Sequence, residues 1–133
     1  MSGTEWRWVK ESSVLAIHDA QLAEHGGIPG VRDMSLLLSA LARPQNLAAY
    51  GEPDLADLAA SYAVGIARNH AFLDGNKRTS LVVALVFIQK NRYLVEPDQR
   101  DAVNTMLSVA DGRLSEAELA RWFRSYMRPL SPE

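Results

Sequence analysis

From Asn69 to Ser80 the chain reads NHAFLDGNKRTS, which gathers an imidazole, a carboxylate, carboxamides, two cations and two hydroxyls around one glycine, directly ahead of the apolar run LVVALVFI. If a helix begins near Asn76, its first backbone N–H groups have no partners within the helix, and the positive end of the helix dipole lies behind them. Lys77 and Arg78 add full charges there, and Gly75 lets a ligand approach the backbone. The natural guest of such a turn is phosphate. Asp74 places a carboxylate beside those cations, an arrangement that suits phosphate when a divalent ion bridges the two, and Mg²⁺ is commonly held by one or two carboxylates plus phosphate oxygens. His70 supplies an imidazole, the side chain that most often takes a proton from an attacking hydroxyl. Phe72 alternates with these polar residues and is expected to point into the core and anchor the loop. The plainer alternative is a solvated turn in which His70 caps a helix, DGN bends the chain and KR faces water. Against it, cations in the first helical turn oppose the dipole, at a cost of a few tenths of a kcal/mol to about 1 kcal/mol.

The rest of the chain bounds what this turn can serve. Its 133 residues suit one domain, 1–133, and 47% hydrophobic with 23% charged residues is an ordinary globular balance. With 14 Lys and Arg against 16 Asp and Glu, the net charge of −2 provides no basic field for a nucleic-acid backbone, so no direct nucleic-acid partner is expected. The absence of cysteine excludes disulfides and thiolate metal sites. No apolar run approaches the roughly 20 residues that span a bilayer, and the N-terminus lacks a signal-peptide pattern. The expectation is a cytoplasmic protein without a membrane partner.

Punctuation divides the chain into helix-length pieces. The first runs from about Lys10 to His25, with an apolar stripe through Val14, Leu15, Ile17, His18 and Leu22, and is stopped by Gly26 and Gly27. Asp33 predicts an N-cap for a second helix ending just before Pro44, with RPQNLAAYGEP as a short turn or loop. Asp54 predicts the cap of a third, carrying Leu55, Leu58, Tyr62 and Ile66 on one face. The piece from Asn76 to Arg92 is rich in β-branched residues, but its length favours a helix, and apolar residues all round predict a central helix buried on every side. Two further helices are expected, QRDAVNTMLSVAD closed by Gly112 and EAELARWFRSYMR opened by a Ser115–Glu118 capping box. The predicted class is all-α: a compact single-domain bundle of about six helices around a central buried helix, with at most a short hairpin at a loop tip.

The segment HAFLDGNKRT resembles the signature of the Fic/Doc superfamily, H-P-F-x-[DE]-G-N-G-R-x-x-R. It is similar in particular to the death-on-curing (Doc) branch, where Lys commonly replaces the second motif glycine and Thr follows the Arg. GGIPGVRDMSLLLSALARP, YAVGIARNHAF and the closing AVNTMLSVADGRLSEAELARWF resemble that branch too, so the likeness covers about residues 8–126. It implies a compact helical toxin of a toxin–antitoxin pair. By the family pattern His70 is the general base, Asp74 the Mg²⁺ ligand, Gly75 and Asn76 part of the phosphate-binding loop, and Lys77 and Arg78 the phosphate clamps. Ala71 departs from the usual proline, Lys77 from the second glycine, and Leu81 from the final arginine. Those last two positions help seat the nucleotide in adenylylating Fic enzymes. The Doc branch shares the changes and is described as binding ATP the other way round, so the resemblance implies transfer of the γ-phosphate of ATP rather than of AMP. The implied acceptor is a threonine of translation elongation factor Tu, whose modification halts translation. An [ST]-x-x-x-E-[GN] inhibitory helix is missing from the sequence, and the resemblance implies inhibition by a cognate antitoxin that lays a helical C-terminal segment into a groove.

Two other readings of the loop stay open at this point, AMP transfer to a protein hydroxyl and a non-catalytic helical module that binds an antitoxin or a nucleotide. Elsewhere, GGIPGVRD reads as a helix stop and start rather than a phosphate loop, because it follows a helix. His18 and His25 stand seven apart, too far for the usual helical metal pair, and Trp122 is expected inside. Trp6 and Trp8 either line a partner groove or lid the core. Arg43 to Asp54 is a connecting loop or a substrate-guiding flap.

Overall fold

The computed structural model describes residues 5–130. Six helices account for most of it: α1 Glu11–His25, α2 Met34–Tyr50, α3 Leu55–Asn69, α4 Asn76–Lys90, α5 Gln99–Ala110 and α6 Glu116–Tyr126. Two two-residue strands, β1 Tyr93–Leu94 and β2 Arg128–Pro129, pair antiparallel. They tie the end of α4 to the end of α6, and so form a long-range clasp instead of a hairpin at a loop tip.

The central helix is α3, not the helix that begins at Asn76. Twelve of the 15 residues of α3 are buried against six of 15 in α4, because α3 packs against α2, α4, α5 and α6 at once. Both helices carry a charge-free run, LAASYAVGIA in α3 and LVVALVFI in α4. Small residues decide between them, since alanine, serine and glycine let neighbouring backbones approach from every side. At Gly65 an added Cβ would meet the Cα of Ala40 at 3.3 Å and the Cδ of Arg43 at 3.2 Å, so any larger residue would force α2 and α3 apart. The bulkier side chains of α4 fill the space between α3 and α1 on one face and leave Leu81, Val82, Leu85 and Val86 half-buried on the other.

The second helix does not stop before Pro44 but continues to Tyr50. Proline forgoes one hydrogen bond to the carbonyl four residues back. The buried set of α2 is Leu37, Ala40, Leu41 and Pro44, spaced i, i+3, i+4 and i+7, so the proline ring completes the stripe that faces the core and its burial offsets the lost bond. The proposed loop or flap from Arg43 to Asp54 is therefore largely helix. Arg43 braces this helix by donating to the Ser61 carbonyl at 3.0 Å and pairing with Glu116 at 2.8 Å.

Capping chemistry fixes the other boundaries. Asp33 accepts from the Leu36 N–H, and the Asp54–Asp57 and Ser115–Glu118 capping boxes are both complete. Trp6 and Trp8 lid the core, with Trp8 stacked on Phe87 at 5.6 Å. Trp122 is only half-buried; its indole N–H and the Tyr126 hydroxyl both donate to Asp101, which joins α5 to α6 and explains why the ring stays near the surface.

Candidate functional site

The polar loop crosses from the C-terminus of α3 to the N-terminus of α4, and four separate contacts hold its backbone. Arg32 donates from Nε to the His70 carbonyl at 2.7 Å and from Nη2 to the Asn69 carbonyl at 3.3 Å, so it caps α3 from outside. Val31 and Phe72 form an antiparallel bridge, with the Leu73 N–H donating to the Gly30 carbonyl at 3.1 Å. Asn76 accepts from the Phe72 N–H through Oδ1 and donates to the Phe72 carbonyl through Nδ2, both at 3.0 Å. His18 donates from Nε2 to the Asp74 carbonyl at 2.8 Å, the direction being fixed because a carbonyl only accepts.

Phe72 is buried, as expected, and the His18 ring stacks on it with centroids 3.7 Å apart. Around that anchor the alternate residues emerge. His70 closes α3 in the left-handed conformation, φ 52° and ψ 47°, an uncommon geometry for a residue with a Cβ that costs about 1 kcal/mol and turns its exposed side chain toward the cleft. Gly75 also has positive φ, 77°, and an added Cβ would sit 3.4 Å from Leu22 and 3.7 Å from the His18 ring.

The Asp74 carboxylate lies between two backbone donors. Oδ1 accepts from the Gly75 N–H at 2.9 Å and Oδ2 from the Ile28 N–H at 3.2 Å. Gly27 must be glycine for this approach, since a Cβ there would stand 2.9 Å from Oδ2. An ionised carboxylate offers about four acceptor sites, so two remain for a cation. Among the described residues no group of three or more His, Asp or Glu side chains converges as a metal cage, and a divalent ion at Asp74 would complete its shell with water and phosphate oxygens.

At the start of α4 the N-cap Gly75 supplies no side-chain acceptor, and the first turn contains no acidic residue. Lys77 and Arg78 are exposed there and make no ion pair among the described residues. Unpaired N–H groups, the dipole and two cations thus converge without a neutralising partner beyond Asp74. These features fit an anionic ligand with bound metal.

His70, Asp74, Gly75, Asn76, Lys77 and Arg78 all line one cleft of about 490 Å³, and Phe72 stands behind it as the anchor. The rest of the lining is apolar, formed by Leu73 of the loop, Leu81 of α4, and Val103, Met106 and Leu107 of α5. A histidine beside the cationic, glycine-capped start of a helix is the arrangement that the motif HAFLDGNKRT encodes. The sequence pattern that defines the Fic/DOC family matches residues 8–88, an interval that contains α1, α2, α3, the loop and nearly all of α4. The chain belongs to the Fic/Doc family. It is 34% identical over 119 residues to the "Protein kinase doc" of Escherichia phage P1, a match that covers 89% of this chain and 94% of that protein. It is 48% identical over 69 residues to the "Toxin Doc" of Mycolicibacterium smegmatis, covering 50% of this chain and 52% of that protein.

Within this Fic/Doc chain two site residues were not evident from sequence. His18 stands on the apolar stripe of α1, which signals an inward position but not the carbonyl it meets. Arg32 carries no sequence signal at all, because its target is a pair of backbone carbonyls. GGIPGVRD provides the α1 stop and α2 start as expected, and in addition Val31, which bridges to Phe72.

Proposed function

We propose that this chain is a Doc-type toxin that transfers the γ-phosphate of Mg-bound ATP to a threonine hydroxyl of a target protein, translation elongation factor Tu, and thereby stops translation. The observation that carries the reading is that His70 and the cations Lys77 and Arg78, which make no ion pair among the described residues, share one cleft at the start of α4. The names of the two relatives, a protein kinase and a toxin, support both halves of it.

The Lys77 and Arg78 side chains and the α4 N–H groups bind the donor's phosphates and offset the charge that spreads over the transferring group. Asp74 would hold the Mg²⁺, which supplies further charge neutralisation when bound. His70 accepts the proton of the target hydroxyl as that oxygen bonds to the γ-phosphorus; the bond from phosphorus to the bridging oxygen breaks and ADP leaves. Asn76, whose amide is engaged at Phe72, acts by holding the loop in shape. Leu81 leaves the position of the family's last arginine without charge, which supports attack at the γ- rather than the α-phosphate. A cognate antitoxin would control the toxin by laying a helical segment into a groove on its surface.

The test is intact-mass spectrometry of bacterial extract proteins incubated with the chain, Mg²⁺ and ATP. Phosphate adds about 80 Da and AMP about 329 Da, so the mass reports which phosphorus is attacked. An increment of phosphate on one translation factor is expected. His70→Ala should slow transfer by about 10²–10⁴-fold while nucleotide affinity stays within about twofold. An AMP increment would move the chain to adenylylation, and no increment on any protein would make it a binding module.

A further inference from the structure

The cleft is divided by chemistry. Its charged side chains, His70, Asp74, Lys77 and Arg78, lie along the loop and the first turn of α4. Beyond them the lining is apolar. Leu81 stands one helical turn past Lys77 and Arg78, and Val103 and Leu107 stand four apart on the facing side of α5, 52% and 41% exposed. Asn76 is the remaining lining residue with a polar side chain, and both ends of its amide are bonded to the Phe72 backbone. A ligand portion lying on this wall therefore meets surface that repays burial but presents no free side-chain donor or acceptor.

We infer that this wall seats the nucleobase of the phosphate donor, and that it reads the size of a purine but not its identity. The inference rests on the phosphate seat proposed above. A nucleoside triphosphate anchored by its phosphates at the α4 start carries its base beyond the charged end, and the apolar wall continues directly from that end within one cleft. The cleft's 490 Å³ falls in the roughly 300–1,000 Å³ typical of small-molecule sites. Sites that hydrogen-bond a ligand's polar edge reject the wrong group by roughly 10⁴-fold, whereas apolar surfaces discriminate mainly by area. ATP and GTP should consequently bind within about threefold of each other, and CTP, whose smaller ring buries less surface, several-fold more weakly.

Calorimetric titrations with ATP, GTP, CTP and inorganic tripolyphosphate, each with Mg²⁺, test this on the wild-type chain and on a Val103→Ser/Leu107→Ala double variant. Both positions are solvent-facing, and far-UV circular dichroism with a thermal melt verifies the variant's fold. The expected result is a rise of about tenfold in Kd for ATP and GTP alike in the double variant, with tripolyphosphate unchanged within about twofold. Tripolyphosphate binding normally while ATP affinity is unmoved by the double variant would overturn the base seat alone, and would leave the wall to the target or the antitoxin. A preference of more than about 100-fold for ATP over GTP would also overturn it, because apolar contact does not provide such a ratio. If tripolyphosphate fails to bind the wild-type chain, the phosphate seat falls and the base seat with it.

Discussion

Two helix starts in this molecule are built on opposite principles. At α3, Asp54 caps the Asp57 N–H, Asp57 returns a bond to the Asp54 N–H, and Arg124 closes on both carboxylates at 2.9–3.2 Å. At α4 the cap is a glycine, no carboxylate enters the first turn, and the third helical position is Arg78 where α3, α5 and α6 carry Asp57, Asp101 and Glu118. The first start is complete in itself. The second leaves its N–H groups and cations without acidic partners among the described residues, and the proposed phosphate seat rests on that difference.

The most direct way to break this contrast is to give α4 the start that α3 has. Arg78→Glu places an acid at the third helical position and should stabilise the fold by about 0.3–1 kcal/mol through the dipole. The same change should weaken binding of Mg-ATP or tripolyphosphate by about 100-fold or more, since a clamp becomes a repulsive charge. Calorimetry and a thermal melt on one sample read both effects; a drop in Tm together with retained affinity would mean that the α4 start is an ordinary solvated turn. A somewhat smaller effect is expected at Asn76→Ala, which leaves the Phe72 N–H and carbonyl without partners. That should cost about 2 kcal/mol in urea unfolding and lower the transfer rate through loosening of the loop.

Smaller again is removal of the α3 start. Asp54→Ala should cost about 1 kcal/mol and leave nucleotide affinity unchanged, because this helix end is remote from the cleft lining. The mildest effect is on pH dependence. Partial burial pushes the Asp54 carboxyl up, but the Arg124 guanidinium and the Asp57 N–H more than compensate and hold it below the usual range; the Tyr126 hydroxyl and Trp122 indole hold Asp101 low in the same sense. A carboxyl with a lowered folded pKa stabilises the fold above its unfolded value, about 3.9, and the stabilisation is lost as pH falls through the folded value. Tm should therefore be nearly flat from pH 7 to 5 and decline below about pH 4, with a shallower decline in Asp54→Ala. A decline already complete at pH 5 would contradict the lowered carboxyls.

Much of this contrast is legible in the sequence. Caps are local, so Asp33, Asp54 and Ser115 declare their helices within one turn of chain. The charge reversal at Lys77 and Arg78 is visible for the same reason, and Phe72 points inward as its alternation with His70 and Asp74 requires. Long-range facts are less accessible. Pro44 reads as a stop because its local chemistry is that of a breaker, and only the match of its ring to the stripe of Leu37, Ala40 and Leu41 reverses that. The burial of α3 depends on what packs around it, and two helices that each carry a charge-free run cannot be ranked by their own periodicity. His18 and Arg32 act on backbone carbonyls 56 and 38 residues ahead, and a carbonyl has no sequence identity to signal it.

The bond from His18 to the Asp74 carbonyl also bears on how the protein is made. As a chain emerges from the ribosome N-terminus first, α1 is present long before the loop that its histidine steadies, and α4, against which α1 packs, comes later still. A nascent chain cut short before Asn76 would expose His70 but have neither the Asn76 clasp nor the cationic helix start. The cleft thus comes into being only after α1 has met the loop and α5 has supplied Val103, Met106 and Leu107 to its lining, so a chain cut short before α5 lacks the proposed site.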